Sequence, residues 1–237
     1  MSHTLPCTAG WWDPMTSSKS MFEREPSEDN VTDWALKQFR SHYEDESISK
    51  DDIWEYMYGV MHAPDWRIRY ANDLKRQLPR VPFAPDFEAY RNAGRLLMDL
   101  HIGYETCPEL SAVVCLVDGS PDQGDSDSST YRIDRRMRWA SKDDRAELQI
   151  NARCRLVGIP ESAHKYQVSG RSPLEWAVDS LRLKEGKQSG IIDDPNGWHV
   201  WADDADAFEL IRHLRRLAYV GVRSTEIIEE LPPSLPD

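Results

Sequence analysis

The sequence predicts an α+β fold, with a helix-rich N-terminal half, a short antiparallel sheet in the middle and C-terminal helices. Three observations predict it. Apolar residues between Val31 and Gly103 recur at helical spacing, runs after Cys107 alternate at period two, and helical spacing returns after Ser172 and Pro173. At 237 residues and 40% hydrophobic content, the chain is long enough for one large or two small domains with a real core. The texture divides it into an irregular arm at 1–30, a main domain at 31–232 and a tail at 233–237. Within the main domain, 31–105 is helical, 110–168 rich in strands and 171–232 helical.

The arm mixes Gly, Pro, Ser and Thr with Trp11, Trp12, Met15, Met21 and Phe22, a pattern for aromatics docked on a body or for a partly disordered tail. From Val31, Trp34, Leu36, Phe39 and Tyr43 mark a first helix, with Thr32 or Asn30 as its N-cap. Ser47 to Asp52 supplies capping residues for a second, whose apolar face holds Ile53, Met57, Val60 and Met61. After a break at His62 and Ala63, Pro64 fits the first turn of a further helical segment, since its missing N–H has no partner there. That segment interleaves Arg67, Arg69, Lys75, Arg76 and Arg80 with Trp66, Ile68, Tyr70, Leu74 and Leu78, giving a basic and an apolar side. Pro79, Pro82 and Pro85 then enforce a rigid extended connector. Asp86 or Pro85 opens a helix through Phe87, Tyr90, Leu97 and His101 that ends near Gly103.

Residues 113–117 (VVCLV) read as a short strand, and 119–130 as a polar loop. Residues 131–140 and 146–159 alternate, and predict a hairpin joined across Ser141 to Arg145. In its second strand Leu148, Ile150, Ala152, Cys154 and Leu156 face the core, and Gln149, Asn151, Arg153 and Arg155 project from the opposite face. Tyr166 and Val168 suit one more short strand before Gly170. Ser172-Pro173 starts a helix over Leu174 to Leu183, a loop runs from Glu185 to Gly197, and a last helix runs from Asp203 to about Val222. That helix places Phe208, Ile211, Leu214, Leu217 and Ala218 inward, and Arg212, Arg215 and Arg216 outward.

Composition excludes several classes. No apolar run is long enough for a membrane span and the N-terminus has no secretion-signal pattern, so a cytoplasmic protein with no membrane partner is expected. Cys7, Cys107, Cys115 and Cys154 form no CxxC pair, which speaks against zinc and a disulfide framework and for idle thiols. A net charge of -12 speaks against a generic nucleic-acid binder. Residues 131–155 nevertheless hold 8 Lys and Arg against 4 Asp and Glu. A local basic face can override the overall charge at a groove.

No reaction is written in the motifs. The chain has no glycine-rich cofactor loop after a strand, and none of the tetrads of Asp or Asn, Pro, Pro and aromatic that adenine methyltransferases carry. Asp194-Pro195-Asn196-Gly197-Trp198 has one proline and a displaced aromatic, as in a turn. Walker, nucleophile-elbow, HExxH and kinase signatures are missing. Glu185-Gly186-Lys187 imitates a nuclease ExK fragment, but glycine and its place after a helix argue against metal-dependent cleavage there. His62 and His101 lie near apolar helical faces, as structural histidines do, and the paired aspartates at 143–144, 193–194 and 203–204 suit turns and helix starts. No catalytic and no metal-binding residues are therefore assigned.

Across about residues 30–232 the sequence resembles the C-terminal target-recognition, or specificity, domain of single-chain Type I restriction-modification enzymes, the Type ISP family. The matching residues are Thr32-Asp33-Trp34-Ala35-Leu36 with Phe39, Ile53, Tyr58-Gly59-Val60, His62 and Pro64. They continue with Arg69-Tyr70-Ala71, Leu74-Lys75, Leu78-Pro79-Arg80, Pro82-Phe83, Ala93-Gly94-Arg95, Leu100-His101 and Tyr104-Glu105. Gly158-Ile159-Pro160, Gly170-Arg171-Ser172, Leu174-Glu175-Trp176, Ser189-Gly190-Ile191 and Asp194-Pro195-Asn196 complete the series in consistent order. Family members often carry Tyr-Asn where this chain has Ile150-Asn151. The resemblance implies a part that reads double-stranded DNA beside an adenine methyltransferase domain or subunit. It also implies that S-adenosylmethionine, ATP and Mg belong to other domains, with no cofactor in this chain and no catalysis by it alone. The start WWDPMTSSKSMFERE departs from the family's approach to this domain, as expected of a truncated or split polypeptide or a remnant.

Two DNA-binding surfaces follow. In the first, Arg135, Arg136 and Arg138 with Gln149, Asn151, Arg153 and Arg155 combine phosphate-binding cations with groups that read base edges. The second comprises Arg67, Arg69, Lys75, Arg76 and Arg80, and Arg171 joins the list. Against direct contact stand ion pairs with Asp65, Asp73 and Asp134. The competing function is an acidic interaction module, an orphan specificity-like domain or decoy that binds a restriction-modification partner instead of DNA.

Overall fold

A computed structural model of the chain describes residues 4–5, 30–141, 144–186, 189–198 and 206–235. The fold is mixed α+β, and divides into two compact units, one comprising Met1–Asp99 with Ile227–Asp237 and the other Leu100–Glu226. The arm's Trp11, Trp12, Met15, Met21 and Phe22 lie outside the described residues, as do Asp143, Lys187, Asp203 and Asp204.

In the first unit the order is β1 (Thr4–Leu5), α1 (Asp33–Tyr43), α2 (Lys50–His62), α3 (Pro64–Tyr70), β2 (Val81–Pro82) and α4 (Phe87–Ile102), which runs past the boundary at Asp99. Local chemistry sets these helices. Thr32 caps α1, and Ser49 with Asp52 forms a reciprocal capping box on α2. Pro64 takes the first position of α3. Phe39, Ile53, Tyr56, Val60, Trp66 and Tyr90 fill the core. The proline connector is held by a hydroxyl pair: Tyr56 donates to the Pro82 carbonyl at 2.7 Å and accepts from Ala84 N–H at 2.7 Å, while Tyr43 donates to the Ala84 carbonyl at 2.8 Å. β2 pairs with β1 in antiparallel register. α2 and α4 cross where Gly59 and Gly94 meet, for a Cβ on Gly94 would run into the Glu55 carbonyl.

The second unit follows the order β3 (Val114–Val117), β4 (Ser120–Pro121), β5 (Arg138–Trp139), β6 (Glu147–Gln149), β7 (Cys154–Val157), α5 (Pro173–Ser180), β8 (Lys184–Glu185), β9 (Ile192–Asp193) and α6 (Glu209–Glu229). Among the described residues, β4-β3-β7-β6-β5 form one antiparallel sheet, with β5 at an edge. Trp139, Leu148, Leu156 and Cys115 line up across it on the core face. Leu174, Val178, Ile211 and Leu214 from α5 and α6 belong to the same core.

Several expectations are corrected. The predicted strand 146–159 is two strands, because Asn151 reverses the chain between β6 and β7. Among the described residues Val168 bridges only to Arg171, in a tight turn, and α5 ends at Ser180 with Leu181 as its C-cap. The loop at 185–197 contains the β8–β9 hairpin and a 3₁₀ turn at Pro195–Gly197. The last helix is shifted along the chain, to Glu209–Glu229. Arg215 points inward, 7% exposed, because Glu109 meets its guanidinium at 3.2 Å and the Phe208 ring lies under it. Cys115 and Cys154 are buried with sulfurs 3.6 Å apart.

Candidate nucleic-acid interface

The segment Ile133–Arg138 is the backbone of the first surface. Tyr131, Ile133 and Met137 are buried at alternate positions, which turns Arg132, Asp134, Arg136 and Arg138 outward. Asn196, buried in its 3₁₀ turn, fixes the segment: its Oδ1 accepts from Ile133 N–H at 2.8 Å and its Nδ2 donates to the Ile133 carbonyl at 2.9 Å. Leu183 N–H donates to the Arg135 carbonyl at 2.8 Å, and Arg136 and Arg182 form an antiparallel bridge. Arg138 is exposed on the edge strand β5, and Arg135 and Arg136 are exposed in the stretch that leads into it. Among the described residues none of their side chains has a hydrogen-bond or ion-pair partner.

On the outer sheet face, Arg138 stands opposite Gln149, and Gln149 opposite Arg155. The outer four residues do not share one strand face as expected. The Gln149 amide donates to the Asn151 carbonyl, and to the Cys154 carbonyl at 3.4 Å. Asn151 uses its whole amide on the backbone, donating to the Thr130 and Arg132 carbonyls at 2.8 and 2.7 Å and, within the turn, accepting from Arg153 and Cys154 N–H at 2.9 and 2.8 Å. Such an Asx-type turn leaves its amide no further donor for a base edge. Arg155 pairs with Glu147 at 3.3 Å, Arg153 grips Asp118 with contacts down to 2.6 Å, and Arg171 pairs with Asp179 at 3.1 Å over the Trp176 ring. That grip lowers the Asp118 carboxyl below its ordinary range. These pairs are partly or largely exposed, where solvent screens the attraction and an ion pair adds little stability, so exchange for a phosphate is inexpensive.

The second surface belongs to the first unit. α3 stops at Tyr70, and residues 71–80 leave as an exposed loop with one 3₁₀ turn at Asp73–Lys75. Trp66, 2% exposed, anchors its end by donating Nε1 to the Arg80 carbonyl at 2.9 Å. The expected apolar side divides: Trp66 and Tyr70 are buried, but Ile68 and Leu78 are 79% and 62% exposed and Leu74 is exposed too. Arg67, Arg69, Lys75, Arg76 and Arg80 are all exposed, and Arg80 reaches Gln77 at 3.3 Å. Asp65 accepts instead from Ser234 N–H and hydroxyl at 2.7 and 2.8 Å, and Asp73 and Asp134 make no ion pair among the described residues. The carboxylates named as competitors in the sequence therefore leave Arg69, Lys75 and Arg76 without ionic partners among the described residues.

Arg182 and Lys184, both exposed and adjoining Arg135 and Arg136, were not legible as members of the first surface. Their only sequence signal is alternation after Leu181, which helical spacing from Leu174 masks. Among the described residues, no group of three or more His, Cys, Asp or Glu is placed to hold a metal ion, and no helix is long and apolar enough to cross a membrane. His62 donates Nδ1–H to the Tyr58 carbonyl, 2.8 Å away, and burial lowers its pKa. His101 meets the Ser224 hydroxyl at 2.8 Å.

An α+β fold that presents cations on an ordered sheet edge and an anchored loop has the features of a module for binding a polyanion. The chain belongs to the Type ISP C-terminal specificity domain family, whose model matches residues 4–210. It is similar to solved structures at 36% identity over 79% of its length and a TM-score of 0.65, for a nuclease-deletion mutant of the Type ISP restriction-modification enzyme LlaGI in complex with a DNA substrate mimic. Similarity to the ATP-dependent Type ISP restriction-modification enzyme LlaBIII bound to DNA is 26% identity over 94%, with a TM-score of 0.73. For the DrdV–DNA complex it is 32% over 86%, with a TM-score of 0.70. The chain spans 14%, 13% and 20% of the length of those proteins, respectively. No curated protein sequence matches it.

Proposed function

We propose that this chain recognises a target sequence in double-stranded DNA as the specificity module of a Type ISP restriction-modification enzyme. The observation that carries this reading is the family match over residues 4–210, and the DNA-bound state of the similar structures supports it. Arg135, Arg136, Arg138, Arg69, Lys75 and Arg76 supply phosphate contacts, which position a duplex without reading it. Arg67, Arg80, Arg153, Arg155 and Arg171 join them by exchanging their protein partners for DNA, and an arginine turned into the major groove reads guanine. Gln149 and Asn151 act beneath this surface, by holding the β6–β7 turn and, through Asn151, tying it to the Thr130 and Arg132 backbone.

On this reading the chain is not itself an enzyme. It works in the cytoplasm beside an adenine methyltransferase domain or subunit, and other modules hold S-adenosylmethionine, ATP and Mg. The acidic-decoy alternative rests on the charge of -12 alone, and the comparisons do not favour it. Electrophoretic shifts of random and defined duplexes at two salt concentrations test the proposal. Binding that weakens steeply with salt is expected. No binding at low salt overturns it.

A further inference from the structure

The bridge between Arg136 and Arg182 opposes two like charges. The Leu183 N–H to Arg135 carbonyl bond lies one residue outside that pair, so the arginines occupy a non-hydrogen-bonded position. There the Cα atoms are about 4.5 Å apart and both side chains leave the same face. Met137 and Leu181 beside them are buried, which turns both arginines to solvent. Like charges directly opposite one another are destabilising. A carboxylate between them would relieve the repulsion, yet neither guanidinium has one among the described residues. Asp179 is taken by Arg171 at 3.1 Å, and Asp134 makes no ion pair among the described residues. Arg138 and Lys184 extend the cationic run, each two residues from the bridge.

We infer that Arg136 and Arg182 clamp a single phosphate of the DNA backbone, Arg182 being supplied by the extended strand after α5. Two planar guanidinium groups leaving adjacent positions converge their donors on one tetrahedral oxyanion, which replaces the missing carboxylate. The clamp rests on the DNA-binding reading above and adds to it a fixed point of register between protein and duplex. Because the bridged backbone fixes the arginine spacing, the clamp sets orientation and carries no base preference.

The test is fluorescence anisotropy of the full chain on a labelled random duplex across a salt series, with Arg136→Gln, Arg182→Gln and the double variant. Arg223→Gln removes a charge elsewhere, on α6, as the control. The double variant is expected to flatten the slope of log affinity against log salt by roughly 0.9, the contribution of one phosphate. The change is the same on random and defined duplexes, and the control keeps the wild-type slope. A parallel thermal unfolding series at low salt without DNA uses inorganic phosphate as probe. Each single variant is expected to unfold at the wild-type temperature or higher, because repulsion is relieved.

An unchanged slope in the double variant, with the wild type binding, overturns the clamp and leaves the proposed function standing. Lower unfolding temperatures in the single variants also overturn it, by showing that the arginines are structural. A wild type that binds no duplex at low salt overturns both readings, and stabilisation by inorganic phosphate in that case marks a free-anion site instead.

Discussion

Asn151 and Asp122 show how single polar side chains shape the surface without belonging to it. Asn151 looks like a reader of bases because alternation places it on an outer strand face, yet its amide makes four hydrogen bonds to backbone groups, two within the turn and two to the Thr130 and Arg132 carbonyls. Asn151→Ala is expected to lower unfolding free energy by about 1–3 kcal/mol in urea titrations, since buried partners lose their hydrogen bonds. Asp122 accepts from Tyr131, from the Ser126 hydroxyl at 2.8 Å and from Gly124 N–H at 2.9 Å. Burial opposes ionisation, but these hydrogen bonds outweigh it and lower the pKa from the ordinary 3.8. With the folded pKa below the unfolded one, the contribution is whole above that ordinary value and is lost as pH falls through the lowered one. Thermal unfolding of Asp122→Asn is therefore expected to lose this part of the acid dependence, seen as a flatter fall in stability below pH 4.

At the scale of elements, legibility follows the distance over which the decisive interaction acts. The caps at Thr32, Ser49 and Ser172, and Pro64 at a helix start, need only neighbours three or four residues away, and each was readable. The β6–β7 turn was not, because Leu148, Ile150, Cys154 and Leu156 are buried at alternate positions on either side of it, and Ala152, small enough to pass for a core residue between them, is exposed in the turn. Burial of Arg215 depends on Glu109, far away in sequence, and Arg182 joins the first surface through a bridge to Arg136. Neither partner leaves a local mark. The α2–α4 crossing is a further case, with Gly59 and Gly94 allowing backbones to touch. Gly94→Ala should force these helices apart and cost about 1–3 kcal/mol, measured by chemical denaturation, despite alanine's better helix propensity.

For the whole molecule, a net charge of -12 coexists with cationic stretches on separate units, so net charge is a poor guide to the partner. The fold class and the family were legible from many weak matches in consistent order, whereas the members of each surface required the structure. On the proposed reading the chain selects a sequence in duplex DNA. The most direct measurement fuses the chain to an adenine methyltransferase lacking its own recognition domain and sequences the sites methylated in a randomised duplex pool. One enriched consensus is the predicted result. Methylation spread evenly over the pool, from a fusion that is folded and active, would contradict it.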